Sequence, residues 1–431
     1  MVKRNKSIHR RNIKFKTEVS KTDKSRILGV AIDTSKSFHR VLIFNFLGKI
    51  IQEPFSIDTL QSGYVTLIKK IVASQKKIKA QKTFIALETP AKYTDNLVYH
   101  LRKDFGLVCF VSPFEVSENR SQRTFVHVKS DDIDTSSVAD LLIHGEFTEY
   151  IPLKPTAIKL KTLIHWRDQK LKIRTILKHQ IEHRVARILP GLNTTFDGHK
   201  KVYGHAYESQ LHLGLIKLNK TAQDIMKLDN RLLRDKFGYQ NYSRGSYHIK
   251  KLKNRLDEML LPEERSTRIE LEFLKKDFAL YEMLNEAIAN AEKEIISLGY
   301  ETEAKYLFNQ IKGIGELSAS MYVGLVGNIE RFDSAKKIYS YAGLSPRRYQ
   351  SGGDTKQSLG IKRHGNKLLR SFLFRLSTTI IKCNPKFNTY YKNLRQNGKS
   401  WKESIVIVAK RLNNILFALI RDKSTYEESS R

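Results

Sequence analysis

The sequence predicts an α/β domain at the N-terminus, then a basic helical middle, then a mainly helical C-terminal domain. Three observations predict it. Short apolar runs alternate with helix-spaced segments over residues 27–150. Apolar residues recur at helical spacing through most of residues 156–300. Beyond about 305, helical segments are joined by loops that carry the glycines Gly313, Gly315, Gly343, Gly352, Gly353, Gly360 and Gly365.

The elements of the first domain follow in order. Ile27–Asp33 (ILGVAID) is an apolar run that ends in an acid. Arg40–Phe46 alternates and meets a turn at Gly48, so Lys49–Phe55 can pair back on it as a hairpin. Leu60–Val72 has helical spacing, with Leu60, Tyr64, Leu67, Ile68 and Ile71 recurring. Thr83–Leu87 is a short buried strand ending at Glu88. Tyr93–Phe105 reads as a helix, Leu107–Val111 as a fifth strand, residues 113–123 as a polar segment and Asp132–Ile143 as a helix. Three hairpin-linked strands, then alternating helices and strands that need crossovers, is the element order of an RNase H-like fold.

In the middle segment, helical spacing runs from Ile158 to Ile188, up to Pro190, and again from about Arg265 to Ile296. Two long helices of this kind suggest an antiparallel hairpin or coiled coil, although the repeat is not clean enough to read as heptads. The insertion between them, about 195–250, has no clear pattern. The expected layout is therefore a basic tail over 1–26, an α/β domain over 27–155, a helical region over 156–300 and a C-terminal domain over 301–431. A chain of 431 residues accommodates two or three domains.

Charge narrows the partner. Lys and Arg number 77 against 44 Asp and Glu, a net charge of +33. That balance implies a polyanion, of which nucleic acid is the usual case. A membrane surface would call for a basic amphipathic helix or a lipid anchor, and neither is found. No apolar run approaches ~20 residues and no apolar stretch follows the basic N-terminus, so neither a membrane span nor a signal peptide is expected. The tail holds ten Lys or Arg against Glu18 and Asp23. It reads either as a solubilising tail or as an arm that gains order on nucleic acid. Only Cys109 and Cys383 are present, with no zinc spacing, which fits a reducing cytoplasm.

Four acids stand out by position. Asp33 ends the first strand and Glu88 ends the fourth. Asp131 and Asp134, three residues apart, share a face at the start of a helix, while Asp132 is rotated away by about 100° and reads as a bystander. In an RNase H-like sheet the first and fourth strands are neighbours, so their acids would meet under that helix. Such a cluster is costly unless divalent metal neutralises it. Two Mg²⁺ ions ~3.5–4 Å apart would clamp a scissile phosphate. The plain alternative is that these acids are turn residues and a helix cap.

In the C-terminal domain, IKGIG at 311–315 resembles the turn of a helix-hairpin-helix, where backbone N–H groups around Gly313 and Gly315 bind a phosphate. It is equally a glycine turn between helices. Over 341–370 the cations Arg347, Arg348, Lys356, Lys362, Arg363, Lys367 and Arg370 cluster, with Tyr349 and His364 among them. That composition suits a phosphate backbone. Ser351 precedes Gly352-Gly353 on a turn beside those cations. An exposed serine there can attack a phosphodiester when a base or metal activates it. A serine before glycine is also an ordinary turn residue, and Ser358 is a rival in the same loop.

Six motifs in order resemble the DEDD-type insertion-sequence transposases, or bridge recombinases, and the related Piv-type DNA invertases. They are GVAIDTSK at 29–36, LETPAKY at 87–93, KSDDIDTSSVA at 129–139, IKGIG with Arg331-Phe332 and YAGLSP, Ser351-Gly352 followed by IKRHGN at 361–366, and Asn384-Pro385 with Gly398-Lys399. The resemblance covers about 27–160 and 305–422. It implies a RuvC-like domain, a coiled coil and a transposase domain. It implies that Asp33, Glu88, Asp131 and Asp134 bind Mg²⁺, two ions per site, and that Ser351 forms a transient phosphoserine link to DNA. Through their places in these motifs, Lys129, Gly352 and Asn366 join the expected nucleic-acid contacts. The resemblance further implies element-end and target DNA as substrates, a structured noncoding guide RNA, a dimer or tetramer with composite active sites, and a prokaryotic, nucleoid-associated location. Pro90-Ala91, Thr135, Lys362 and Arg363 depart from the family pattern. Two other readings stand beside this one: a junction-type metal nuclease that uses water, and a non-catalytic nucleic-acid-binding protein.

Overall fold

A computed structural model describes residues 13–88, 94–123, 131–192, 210–348, 358–361 and 365–426. The chain divides once, into Met1–Pro152 and Leu153–Arg431.

The first unit is a six-stranded mixed sheet in the order β3-β2-β1-β4-β5-β6. Its strands are β1 (Ile27–Thr34), β2 (Phe38–Asn45), β3 (Ile50–Asp58), β4 (Lys82–Glu88), β5 (Val108–Val111) and the two-residue β6 (Thr148–Glu149). β1 and β2 are antiparallel, whereas β1 and β4 run parallel, from Ile27 beside Lys82 to Ile32 beside Leu87. The first and fourth strands are therefore neighbours, as element order predicts. The helices are α1 (Ile13–Ser20), α2 (Gln61–Ile78), α3 (Asp95–Phe105), α4 (Pro113–Arg123) and α5 (Asp131–Ile143).

Alternation along the strands builds two cores, one on each face. Leu28, Val30 and Ile32 of β1 pack with Val41, Ile43, Leu67, Ile71 and Leu101. Ile27 and Ala31 face the other way, with Phe84, Ala86, Val111, Val138 and Leu142. That second face is the one covered by α5.

Two local expectations change. Residues 113–123, read as a polar segment, form α4, which packs against α5. The basic N-terminal segment is not all tail, because Phe15 and Val19 of α1 are buried in the α5-side core. The Phe15 ring lies 4.8 Å from Phe84 and 4.7 Å from Phe147, centroid to centroid. Residues 1–12 fall outside the described set.

The second unit is built on two long helices, α6 (Pro155–Ile188) and α11 (Glu264–Tyr300). Their cross-links show an antiparallel pair: Arg167 bonds Glu292 at 2.7 Å, Arg174 bonds Asn285 at 3.1 Å and Arg184 bonds Asp277 at 2.6 Å. The buried residues of α11 step as Leu271, Leu274, Phe278, Tyr281 and Ile288, the alternating spacing of a coiled-coil seam. Asn285 and Glu292 occupy seam positions and are satisfied by the arginines opposite. At the far end, α7 (Gln210–Leu218), α8 (Ala222–Lys227), α9 (Asn230–Lys236) and α10 (Tyr242–Asp257) cap the pair. Ile225, Leu233, Phe237, Ile249 and Leu252 form one core with Ile181 and Leu274.

At the near end, Leu160 and Ile164 of α6 and Ile295 of α11 join the core of the C-terminal segment. That segment holds α12 (Glu316–Val326), α13 (Ala335–Tyr341), a ribbon of β7 (Pro346–Arg348) and β8 (Ser358–Ile361), α14 (Lys367–Cys383), α15 (Pro385–Gln396) and α16 (Trp401–Asp422). α12 is buried from Ala319 to Val326, and its Tyr322 hydroxyl bonds Asn413 of α16 at 2.9 Å. No described helix is long and apolar enough to cross a membrane.

Candidate functional site

The acids of the first unit gather on one face. Alternation from Ala31 puts Asp33 on the α5 side of β1, and alternation from Ala86 puts Glu88 on the same side of β4. Ile32 pairs with Leu87, so the next step along the parallel ladder sets Asp33 level with Glu88. Both are half-buried. α5 packs across β1, β2 and β4 with Val138 and Leu142 facing the sheet. Asp134 lies one turn before Val138 and is only 5% exposed, while Asp131 opens the helix and is exposed.

Two arginines meet this acidic helix start. Arg120 of α4 donates from Nη1 to Asp134 Oδ1 at 2.5 Å. Arg40, the cross-strand partner of Asp33, grips Asp132 with Nε at 2.5 Å and Nη2 at 3.2 Å, and reaches Ser56 Oγ on β3 at 3.2 Å. The Asp132 hydrogen bond holds the Arg40 guanidinium more firmly protonated than usual, and the charges of Asp132 and Asp131 add to this. Asp132, read from sequence as a bystander, is thus the tie between α5 and β2. Sequence reading missed both arginines. The signal for Arg40 is hairpin register, which sets it opposite Asp33. Nothing in the sequence points to Arg120.

Among the described residues, no three His, Cys, Asp or Glu side chains come close enough to hold a metal ion. The donors at this face are carboxylates alone, the chemistry a hard divalent cation takes. They fit such an ion in kind, with Asp134 turned to Arg120.

In the second unit the glycine turn is as the sequence suggests. Gly313 has φ +100° and Gly315 is the N-cap of α12, with no side chain capping the first turn. Asn366 caps α14 by accepting from the N–H groups of Leu368 and Leu369, at 3.1 and 3.0 Å. Arg370 donates to the Ala342 carbonyl at 2.9 Å. Both residues therefore have structural duties. Arg347 and Arg348 lie on β7. Lys129, Ser351, Gly352, Lys362 and Arg363 lie outside the described residues.

Comparison with known proteins bears on this arrangement. A transposase model for the DEDD-type IS110 group matches residues 30–190, which hold all four acids, and a model described as transposase IS116/IS110/IS902 family matches 305–392. Together they take in more than half of the chain, in the order the motifs predict. The chain belongs to the IS110-type transposase family. Relatives within and beside that family include the pilin gene-inverting protein of Moraxella lacunata, 34% identical over 28% of this chain and 38% of its own length. The transposase for insertion sequence element IS1111A of Coxiella burnetii is 28% identical over 34% of this chain and 41% of its own. The insertion element IS110 protein of Streptomyces coelicolor is 29% identical over 28% and 30%. The chain thus spans less than half the length of each of these relatives of the IS110-type family.

Proposed function

We propose that this chain is the DNA transposase of an insertion sequence, cutting and rejoining DNA at element ends and target. One observation carries the reading: Asp33 and Glu88 stand level on adjacent strand ends under the acidic start of α5, in a chain whose family is that of transposases. The net charge of +33 supports a nucleic-acid substrate.

In this reading Asp33 and Glu88, with Asp131 and Asp134, hold divalent metal, and Mg²⁺ is the expected ion. When bound, it would polarise the scissile phosphate and stabilise the oxygens in flight. The α/β unit is the RuvC-like domain and the segment from 301 is the transposase domain, with its helix-hairpin-helix-like turn at Gly313 and Gly315. The Ser351 hydroxyl attacks the phosphorus in line, forming the protein–phosphate ester and releasing the 3′ or 5′ oxygen of the cut strand. That ester keeps the bond energy for rejoining, so no nucleotide cofactor is consumed. Lys129, Arg347, Arg348, Gly352, Lys362 and Arg363 contact the nucleic-acid backbone. A structured noncoding RNA guides the choice of DNA, and two or more copies share composite active sites.

Covalent trapping tests the reading. The protein, expressed with its native flanking DNA so that any guide RNA is supplied, is incubated with labelled element-end DNA and Mg²⁺, then denatured. A labelled adduct that survives Ser358→Ala but is lost in Ser351→Ala and Asp33→Ala supports the serine mechanism. Cleavage that needs Asp33, leaves no adduct and survives Ser351→Ala points instead to a nuclease using metal-activated water.

A further inference from the structure

The four short helices that cap the far end of the α6/α11 pair lie between the two segments that the family matches cover, 30–190 and 305–392. α8 and α9 both pack against α10, and Ile225, Leu233, Phe237, Ile249, Leu252 and Leu256 share one core. Phe237 closes α9, and residues 238–241 lead straight into α10, with Gly238 at φ +70°. Two helices joined by a four-residue turn that contains glycine are the layout of a helix-turn-helix.

Contacts across this turn hold α10 in place. The Tyr239 ring stacks on His248 with centroids 5.5 Å apart and planes 11° apart. The Arg234 guanidinium of α9 lies 4.2 Å from the Tyr242 ring centroid. At Gly245 the two helices approach so closely that a Cβ would stand 2.8 Å from Tyr239 Cβ and 2.9 Å from Arg234 Cγ. Asn241 caps α10 by accepting from the Arg244 N–H at 2.9 Å. Packing therefore sets the direction of α10, and the helix presents a fixed outer face.

That face is basic. Ser243, Arg244, Tyr247, Lys250, Lys251 and Asn254 are exposed. At about 100° per residue they fall within an arc of about 120°. Gly245, Ile249, Leu252 and Leu256 are buried on the opposite side. No acid occurs in α10 before its last residue, Asp257. A helix face that only meets water mixes its charges, as α11 does by pairing Arg268 with Glu264 and Lys276 with Glu272. From Ser243 to Asn254 the stripe runs about 16 Å, the rise of about five base pairs. Its side chains are of the kinds that read base edges: arginine and lysine donate to guanine, and asparagine bonds adenine at two points. Arg231 and Lys236 of α9 are exposed as well and add cations for a phosphate backbone.

We propose that α10 is a recognition helix, whose stripe from 244 to 254 enters the major groove of duplex DNA while α9 crosses the backbone beside it. The B-form major groove admits an α-helix, whereas the deep, narrow major groove of A-form RNA keeps side chains out, so duplex DNA is the partner. The inference rests on the reading of the chain as a DNA transposase.

Full-length protein is titrated into three labelled probes, and anisotropy is followed. The probes are a mixed-sequence DNA duplex, the same duplex with its major groove filled by glucosylated 5-hydroxymethylcytosine, and a hairpin RNA. Wild type is expected to bind the open duplex several-fold more tightly than the filled one. Arg244→Gln and Lys250→Gln should each weaken binding to the open duplex about three- to tenfold and shrink the preference for the open groove. Lys217→Gln, which removes one exposed charge from α7 away from the stripe, should change binding much less. Arg244 and Lys250 are exposed, and unfolding midpoints equal to wild type confirm that their variants are folded. A loss with the hairpin but not with the duplex would overturn the proposal and make α10 an RNA contact. Unchanged duplex affinity in both variants, or a groove preference that survives both, would also overturn it, and a covalent adduct in the trapping experiment would leave the enzyme reading standing. A wild-type chain that binds neither duplex would overturn both readings.

Discussion

Arg120 and Asp134 form an ion pair of 2.5 Å, the carboxylate side chain 7% exposed and the guanidinium 23%. The pair fixes α4 to the start of α5 and compensates a negative charge that has almost no water. Removing the cation alone leaves that charge stranded, which costs more than the pair contributes. Arg120→Met should therefore destabilise the protein by about 2–4 kcal/mol in denaturant unfolding. Asp134→Asn should cost less, since the amide oxygen still accepts from Arg120. A double-mutant cycle with coupling near zero would show that the pair holds nothing.

The same contact makes a prediction about metal. If Asp134 is a ligand, as proposed, a divalent ion competes with Arg120 for one carboxylate. Arg120→Met should then bind Mg²⁺ several-fold more tightly than wild type in calorimetric titration, and Asp33→Asn should abolish the gain. Equal affinity in wild type and Arg120→Met would remove Asp134 from the metal site.

Arg40 and Asp132 lead to a different expectation. Their side chains are 26% and 53% exposed, so the pair adds only about 0.5–1 kcal/mol of stability. Its value is positional: Arg40 lies opposite Asp33 and clamps α5 beside it. Arg40→Gln should lower the DNA-cleavage rate about tenfold, with substrate affinity and unfolding midpoint nearly unchanged. Arg40→Lys should not restore the rate, because an ammonium cannot make the two-point grip on Asp132. A rate that follows the loss of stability in step would mark Arg40 as merely structural.

How much of this was legible in the sequence follows from where each signal resides. The first five strands showed themselves because each holds an apolar run closed by an acid or a turn, and Asp33 and Glu88 could be placed by that alone; β6 was missed because it is only the two exposed polar residues Thr148 and Glu149. α4 was missed because PFEVSENRSQR has no periodic apolar face: Val116 is buried but Phe114 is 56% exposed. α1 was hidden by its lysines, although Phe15 and Val19 carry its packing. The coiled-coil seam looked irregular because Asn285 and Glu292 stand in it, and only the arginines opposite make them tolerable. Arg120 was out of reach for the same reason that α4 was. A contact between Arg120 and Asp134 exists only once the helix that carries Arg120 has been placed.

Gly365 belongs to the IKRHGN motif and its reason is steric. Its φ is +115°, and a Cβ there would lie 2.2 Å from the Tyr341 carbonyl oxygen, a backbone atom that cannot swing aside. Gly365→Ala should cost about 2–4 kcal/mol, from left-handed strain together with the clash. Gly398→Ala, also at positive φ but with open space around it, should cost only about 1 kcal/mol. Thermal melts of the two variants side by side check the difference, and equal losses would mean that the close approach to Tyr341 is not maintained in solution.

His39 makes stability depend on pH in a stated direction. It is 3% exposed on β2, its Nδ1 has no hydrogen-bond partner, and burial pulls it below its ordinary value of 6.5. In the folded chain it is held neutral, so between the folded value and 6.5 the unfolded chain binds the extra proton. Its contribution is therefore complete above about 6.5 and is lost progressively as the pH falls from there towards the folded value. Replacing His39 with Phe removes the titrating group while keeping an aromatic ring among Val41, Ile43 and Ile57. Unfolding midpoints measured between about pH 7.5 and 5 should fall more steeply in wild type than in His39→Phe. Parallel curves would mean that the imidazole is protonated equally in both states, which its burial without a partner for Nδ1 does not allow.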